Sequence, residues 1–172
     1  MFIVGVEGGL IVQCSMLGTT TLKGSTKEVP IADPVFKYYE PHEGEINTVR
    51  FSPNRQDMFL STASDSEIRI YIIGQDAPAR VIFLEKLLNQ ICWVPYQEKL
   101  VIGCGEKGII EIFHLISGRS IPNVTSEKVV PTNLLQMDVN KQRCATVAIG
   151  NDKGEVQIWN VPWGPFALQK VQ

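Results

Sequence analysis

Two histidines and four cysteines are all that 172 residues offer for metal or thiol chemistry, and no two cysteines form a C-x-x-C pair. With only His42 and His114 to join the scattered Cys14, Cys92, Cys104 and Cys144, a tetrahedral zinc centre has no framework. The cysteines read as buried thiols in a reducing compartment. No P-loop, nucleophile elbow or H-E-x-x-H motif occurs, and no spacing sets two carboxylates for acid–base work. The sequence therefore assigns no catalytic and no metal-binding residue, and enzyme activity is not expected.

Positive charge is not in excess either. Lys and Arg number 16 against 18 Asp and Glu, for a net charge of −2, and no basic stripe runs along the chain to follow a phosphate backbone. No apolar run approaches the roughly 18 residues of a membrane-spanning helix. The start, MFIVGVE, lacks the basic region and the length of a signal peptide. Neither nucleic-acid binding nor membrane insertion is expected. Sustained helical periodicity is missing too, and residues 84–88 are the one candidate for a helical turn.

What the chain has is a set of short apolar runs in a repeated order. In HEGEINTVRFSPNRQDMFLSTASDSEIRIY, from His42 to Tyr71, three runs at 46–51, 58–62 and 68–71 are rich in β-branched or aromatic residues. Pro, Asn, Asp and Ser punctuate them where the chain must reverse. Each run reads as a strand, and together they read as a meander. Runs at 90–94, 99–102 and 109–113 form a second set, and 134–139, 144–149 and 156–159 a third. An aromatic closes each set, and Tyr71, Phe113 and Trp159 stand 42 and 46 residues apart. Periods of this length belong to four-stranded propeller blades.

An all-β, partial propeller follows, with blades at about 2–39, 46–84, 90–124 and 132–171. Gly9 precedes Cys14 by five residues, as Gly108 precedes Phe113 and Gly154 precedes Trp159, so the chain begins mid-blade. The expectation is about three complete four-stranded blades behind an incomplete leading one, as the C-terminal part of a larger propeller or a shortened form of it. Residues 79–84, 119–121 and 166–171 are the expected outer strands, and 16–33 an inserted polar loop. Exposed flanks on the end blades would favour association.

Several motifs invite other readings. Gly103-x-Gly105-x-x-Gly108 has dinucleotide-fingerprint spacing, but a strand follows it where a helix N-terminus would be needed. The turns VGVEGG and IGNDKG occupy the same place in the repeat, so a glycine-bearing hairpin explains all three and no cofactor is expected. Glu7, Glu106 and Asp152 share one turn position, where Lys107 and Lys153 follow the latter two and blunt their charge. Glu67 is expected to be solvent-exposed.

GNDKGEVQIWN, ending at Trp159, carries the clearest signature, and all three sets resemble the WD-repeat propellers. That family places a histidine before the first strand, a serine or threonine and an aspartate around the second turn, and a tryptophan at the end of the third strand. His42, Ser61, Asp65 and Tyr71 occupy those places in the central repeat, with tyrosine for tryptophan. The resemblance implies a structural hydrogen-bonded chain through these four residues, which Phe113 could not join in its own repeat. The run from Phe2 to Gly9, with Gln13-Cys14-Ser15, is similar to the F-x-V-G-T-E-x-G and K-C-S segments of dynein intermediate chains. The P-H-x-G turn at Pro41, the S-P at Ser52 and Phe59-Leu60-Ser61 extend the likeness. Within that family it is greatest to the intermediate chain of the ciliary, intraflagellar-transport dynein.

The resemblance implies a non-catalytic scaffold that docks on a dynein heavy chain, alongside other intermediate and light chains, in cytoplasm, cytoskeleton and cilium. By analogy, the face bearing His42 and Asp65 also carries Glu43, Glu45, Lys107 and Lys153, which are the candidate partner contacts. The alternative is a WD-repeat adaptor of another complex, such as a ubiquitin-ligase substrate receptor.

Overall fold

A computed structural model describes residues 1–17, 20–22, 31–121, 132–143 and 146–161. The first sheet holds β1 (Phe2–Gly5) and β2 (Ile11–Cys14). After the small pair β3 (Thr20–Thr21) and β4 (Ala32–Asp33), β5 (Val35–Tyr39) completes it in the order β1-β2-β5. The second sheet is β6 (Ile46–Phe51), β7 (Met58–Ala63), β8 (Glu67–Ile72) and β9 (Arg80–Phe83) in chain order. The third is β10 (Leu88–Trp93), β11 (Leu100–Gly105), β12 (Ile110–His114) and β13 (Arg119–Ile121). The fourth comprises β14 (Leu134–Val139), β15 (Thr146–Asn151) and β16 (Val156–Asn160). Every ladder is antiparallel.

Successive sheets pack face to face, and this explains why the second strands are apolar on both sides. All six residues of β11 are buried, as are five of six in β7. Alternate residues point to opposite faces of a sheet, so one strand feeds two interfaces. Ile70 faces forward onto Leu88, Ile91 and Phe113 of the third sheet, whereas Tyr71 faces back onto Ile11 and Tyr39 of the first. Ile110 and Ile112 face forward in turn, onto Leu134, Met137 and Val147 of the fourth sheet. The closing aromatics Tyr71, Phe113 and Trp159 all belong to the backward-facing side.

The inner strands share a device that the repeat pattern did not reveal. Each carries an irregularity at the same place, between Ile46 and Thr48, Leu88 and Gln90, and Leu134 and Gln136. The bulged residue is freed from the ladder, and in two sheets it is an asparagine that reaches the next blade. Asn47 Nδ2 donates to the Leu88 carbonyl at 2.9 Å, and Asn89 Nδ2 to the Leu134 carbonyl at 2.8 Å. In the fourth sheet this place belongs to Leu135, which is exposed.

Three expectations change. Residues 84–88 form no helical turn: Leu84 N–H still donates to the Ser66 carbonyl, and β10 already starts at Leu88. A 3₁₀ turn instead occupies Glu106–Gly108, where Lys107 has a φ of 54°. The insertion at 16–33 is structured at its ends, since Thr20 pairs with Asp33 and Thr21 with Ala32. Glu67 is not solvent-exposed; its side chain is folded against Arg69. The expected outer strand at 166–171 and Cys144 lie outside the described residues.

Candidate functional site

Loop 40–45, between β5 and β6, is held by side chains of the second sheet. His42 is 3% exposed; its Nδ1 lies 2.7 Å from Asp65 Oδ2 and its Nε2 lies 2.6 Å from Ser61 Oγ. With the ring neutral and its proton on Nδ1, His42 donates to Asp65 and accepts from the Ser61 hydroxyl. Burial pushes the His42 pKa down, against the opposing pull of Asp65. Asp65 also accepts from the backbone N–H of Glu43 at 3.1 Å and of Glu67 at 3.2 Å. It thus ties the loop to its own turn.

Tyr71 is fully buried, and its hydroxyl donates to the Glu40 carbonyl at 2.9 Å. Its proton thereby goes to the loop backbone, outside the chain that joins His42, Ser61 and Asp65. Burial raises the phenol pKa, opposed by the positive charge of the neighbouring Arg69. Arg69 adds a further clamp. Its Nε donates to Glu67 Oε2 at 2.7 Å and its Nη1 to the Pro41 carbonyl at 2.8 Å.

The first sheet holds the loop from the other side through Gly9, whose carbonyl accepts from the His42 N–H at 2.9 Å. Gly9 has a φ of +83°, and a Cβ there would lie 2.1 Å from the His42 carbonyl oxygen. Gly9→Ala is therefore expected to cost more than the roughly 1–2 kcal/mol of the left-handed conformation alone, read in urea melts.

The ligand atoms of His42, Asp65 and Glu67 lie within 4.8 Å of one another, a spacing that could hold a cation. Each is already engaged, by Ser61, by two backbone N–H groups and by Arg69 respectively. The cluster is a hydrogen-bonded pin that fixes a loop. Elsewhere, a cavity of about 470 Å³ opens at the far ends of the inner strands, beside Phe51, Trp93, Tyr96 and Asp138.

Glu43, Glu45, Lys107 and Lys153 are all exposed. Glu43 and Glu45 flank the Asp65 turn, where Ser64 Oγ accepts from the Glu45 N–H at 2.9 Å. Lys107 and Lys153 sit in the corresponding turns of the third and fourth sheets, so the four share one end of the stack. Asn133 joins those two turns: its Oδ1 accepts from the Lys107 N–H at 3.3 Å and its carbonyl from the Asp152 N–H at 3.0 Å. Asn151 acts as a pin within the fourth sheet. Its Nδ2 reaches Thr132 Oγ1 at 3.4 Å and Glu155 Oε2 at 2.8 Å, and its Oδ1 accepts from two backbone N–H groups. The sequence reading missed Asn133 and Asn151, because no single residue type marks these places in every repeat.

No family model matches the chain. The chain superposes with a TM-score of 0.65 on the crystal structure of the C-terminal WD40 domain of Sif2, at 16% identity, over 92% of this chain and 40% of that one. The fold is that of a WD-repeat propeller. In sequence it is 27% identical over 164 residues to human cytoplasmic dynein 2 intermediate chain 2, and 26% identical to the mouse protein. These alignments cover 94% of the chain but only 31% and 30% of the relatives, so it spans about a third of their length. The chain is a WD-repeat chain similar to dynein intermediate chains. The Tyr71 clamp, the His42 pin and the Asn133 junction are the means by which this WD-repeat chain holds its loops.

Proposed function

We propose that the chain is a non-catalytic scaffold of a dynein motor complex that docks on the heavy chain and supports retrograde intraflagellar transport in cilia. The alignment of 94% of its length with dynein 2 intermediate chains carries this reading. The pinned loops support it, because a scaffold must present partner contacts on a rigid frame. The end of the stack bearing Glu43, Glu45, Lys107 and Lys153 is the contact face we assign to the heavy chain. The chain would then work in the cytoplasm, on the cytoskeleton and in the cilium, together with other intermediate and light chains.

Reversing these four charges together in the whole subunit is expected to lower heavy-chain co-purification several-fold and to leave light-chain recovery intact. Unchanged heavy-chain recovery, with loss on deletion of residues 1–172, would move the contact to another face. Recovery that survives the deletion would defeat the dynein reading.

A further inference from the structure

The cavity of about 470 Å³ lies between the turns that follow the inner strands of the second, third and fourth sheets, which are consecutive in the chain. Binding sites are mostly apolar hollows of this order of size with a few placed polar groups. Phe51, Trp93, Pro95 and Val139 supply the apolar wall. Trp93 Nε1 donates to the Arg50 carbonyl at 3.2 Å, which locks the indole of that wall to the neighbouring sheet. Arg50, Asp138 and Lys141 stand exposed at the rim. Neither Arg50 nor Asp138 makes an ion pair among the described residues.

Tyr96 completes the rim in a strained conformation. Its turn, Val94-Pro95-Tyr96-Gln97, is closed by the Gln97 N–H on the Val94 carbonyl at 3.2 Å, and Tyr96 has a φ of 60°. A turn with proline second and a left-handed third residue ordinarily takes glycine or asparagine in that third place. A bulky side chain there is an outlier. The repeat does not demand it, because Asn54 and Gln142 hold the same place in the neighbouring turns and neither has a positive φ. Nothing within the described chain offsets the strain: the Tyr96 side chain is 77% exposed, and no hydrogen bond or ring contact engages it among the described residues. Strain of this kind clusters at ligand clamps.

We propose that the cavity binds an extended acidic peptide segment of a partner protein, with a large apolar or aromatic side chain seated against Tyr96 and Trp93 and a neighbouring carboxylate on Arg50. The rim carries two cations against one carboxylate, so its charge favours an acidic segment. An unpaired guanidinium takes a carboxylate in a bidentate fork. Aromatic and arginine side chains are also those that dominate binding energy at interfaces. The mouth spans three successive turns, a path that an extended chain follows and a compact small molecule does not fill. The site lies at the opposite end of the stack from Glu43, Glu45, Lys107 and Lys153, so it is independent of the heavy-chain reading.

Fluorescence polarisation on the purified chain tests it, with labelled heptapeptides SGDxDGS in which x is varied. Peptides with Phe, Tyr, Trp or Leu at x should bind at least tenfold more tightly than the one with Ala. Their SGKxKGS counterparts should bind at least tenfold more weakly. Arg50→Glu should lower the affinity for SGDFDGS at least tenfold, and Asp138→Asn should raise it. Tyr96→Asn should also lower it at least tenfold while raising the urea midpoint, because asparagine accepts the left-handed place. A tyrosine with a merely structural role would lower the midpoint when replaced. All three side chains are exposed, so circular dichroism should show an unchanged strand signal. The proposal is overturned if no peptide of either set binds saturably, or if the lysine set binds more tightly. An affinity unmoved by Arg50→Glu or Tyr96→Asn, or a lower midpoint in Tyr96→Asn, overturns it too. Binding of N-acetylphenylalanine amide as tight as that of the peptides would make the cavity a small-molecule site and overturns it as well.

Discussion

Phe59→Ala is expected to cost about 3–5 kcal/mol, as large a loss as a single core truncation commonly gives. Phe59 is fully buried between the first two sheets. Its ring stacks on Tyr71 at 4.8 Å with an interplanar angle of 7°, and Tyr39 meets it edge-on at 5.0 Å. Offset and edge-on pairs add to the area buried, so the substitution removes both transfer energy and ring contacts. The surrounding residues have little freedom to collapse, because Tyr39 and Tyr71 are each fixed through their hydroxyls, to Gln13 at 2.7 Å and to the Glu40 carbonyl at 2.9 Å. Against a total of about 5–15 kcal/mol for a domain, the loss is a large fraction. Urea melts should give it directly, with Phe83→Ala, at a ring 77% exposed, staying within about 0.5 kcal/mol.

The same substitution has a regional signature. The interface between the first and second sheets is centred on Ile11, Tyr39, Phe59 and Tyr71, and the Asn47 and Asn89 links lie elsewhere in the stack. Hydrogen exchange in β1, β2 and β5 should therefore accelerate more than in β10 to β12. Equal acceleration throughout would mean that the sheets open as one cooperative unit.

Strand order was legible in the sequence because short β-branched runs and turn residues alternate so regularly. Strand starts were less legible: β10 begins at Leu88, two residues before the apolar run at 90–94, because the bulge at Asn89 interrupts the alternation that marks a strand. The pin at His42, Ser61 and Asp65 could be suspected from the WD-repeat likeness, whereas Arg69 could not. It looks like a surface charge in EIRIY, yet its side chain is 8% exposed and bonded to the loop backbone. Glu67 was misjudged for the same reason. Residues two apart in a strand share a face, so a buried Arg69 draws Glu67 in with it.

Removing the Asp65 carboxylate is expected to destabilise the fold by on the order of 1–3 kcal/mol, because it leaves the His42 Nδ1–H and the N–H groups of Glu43 and Glu67 without their acceptor. Glu43→Ala, at an exposed side chain that uses only its backbone in the network, should cost less than about 0.5 kcal/mol. Equal costs would argue that solvent replaces the carboxylate freely. The variant should also sharpen a pH effect. Burial holds the folded His42 below its ordinary pKa, so below about pH 6.5 the unfolded chain binds a proton that the folded one does not. Stability should therefore fall as pH drops through that value and keep falling until the folded histidine also protonates. Asp65 is the largest of the influences raising the His42 pKa, so Asp65→Ala should push it lower still and widen the acid-sensitive window. Melts of wild type and Asp65→Ala from pH 8 to pH 5 would show two diverging curves. Parallel curves would mean that Asp65 supports the loop through its backbone contacts alone and leaves the histidine's protonation unchanged.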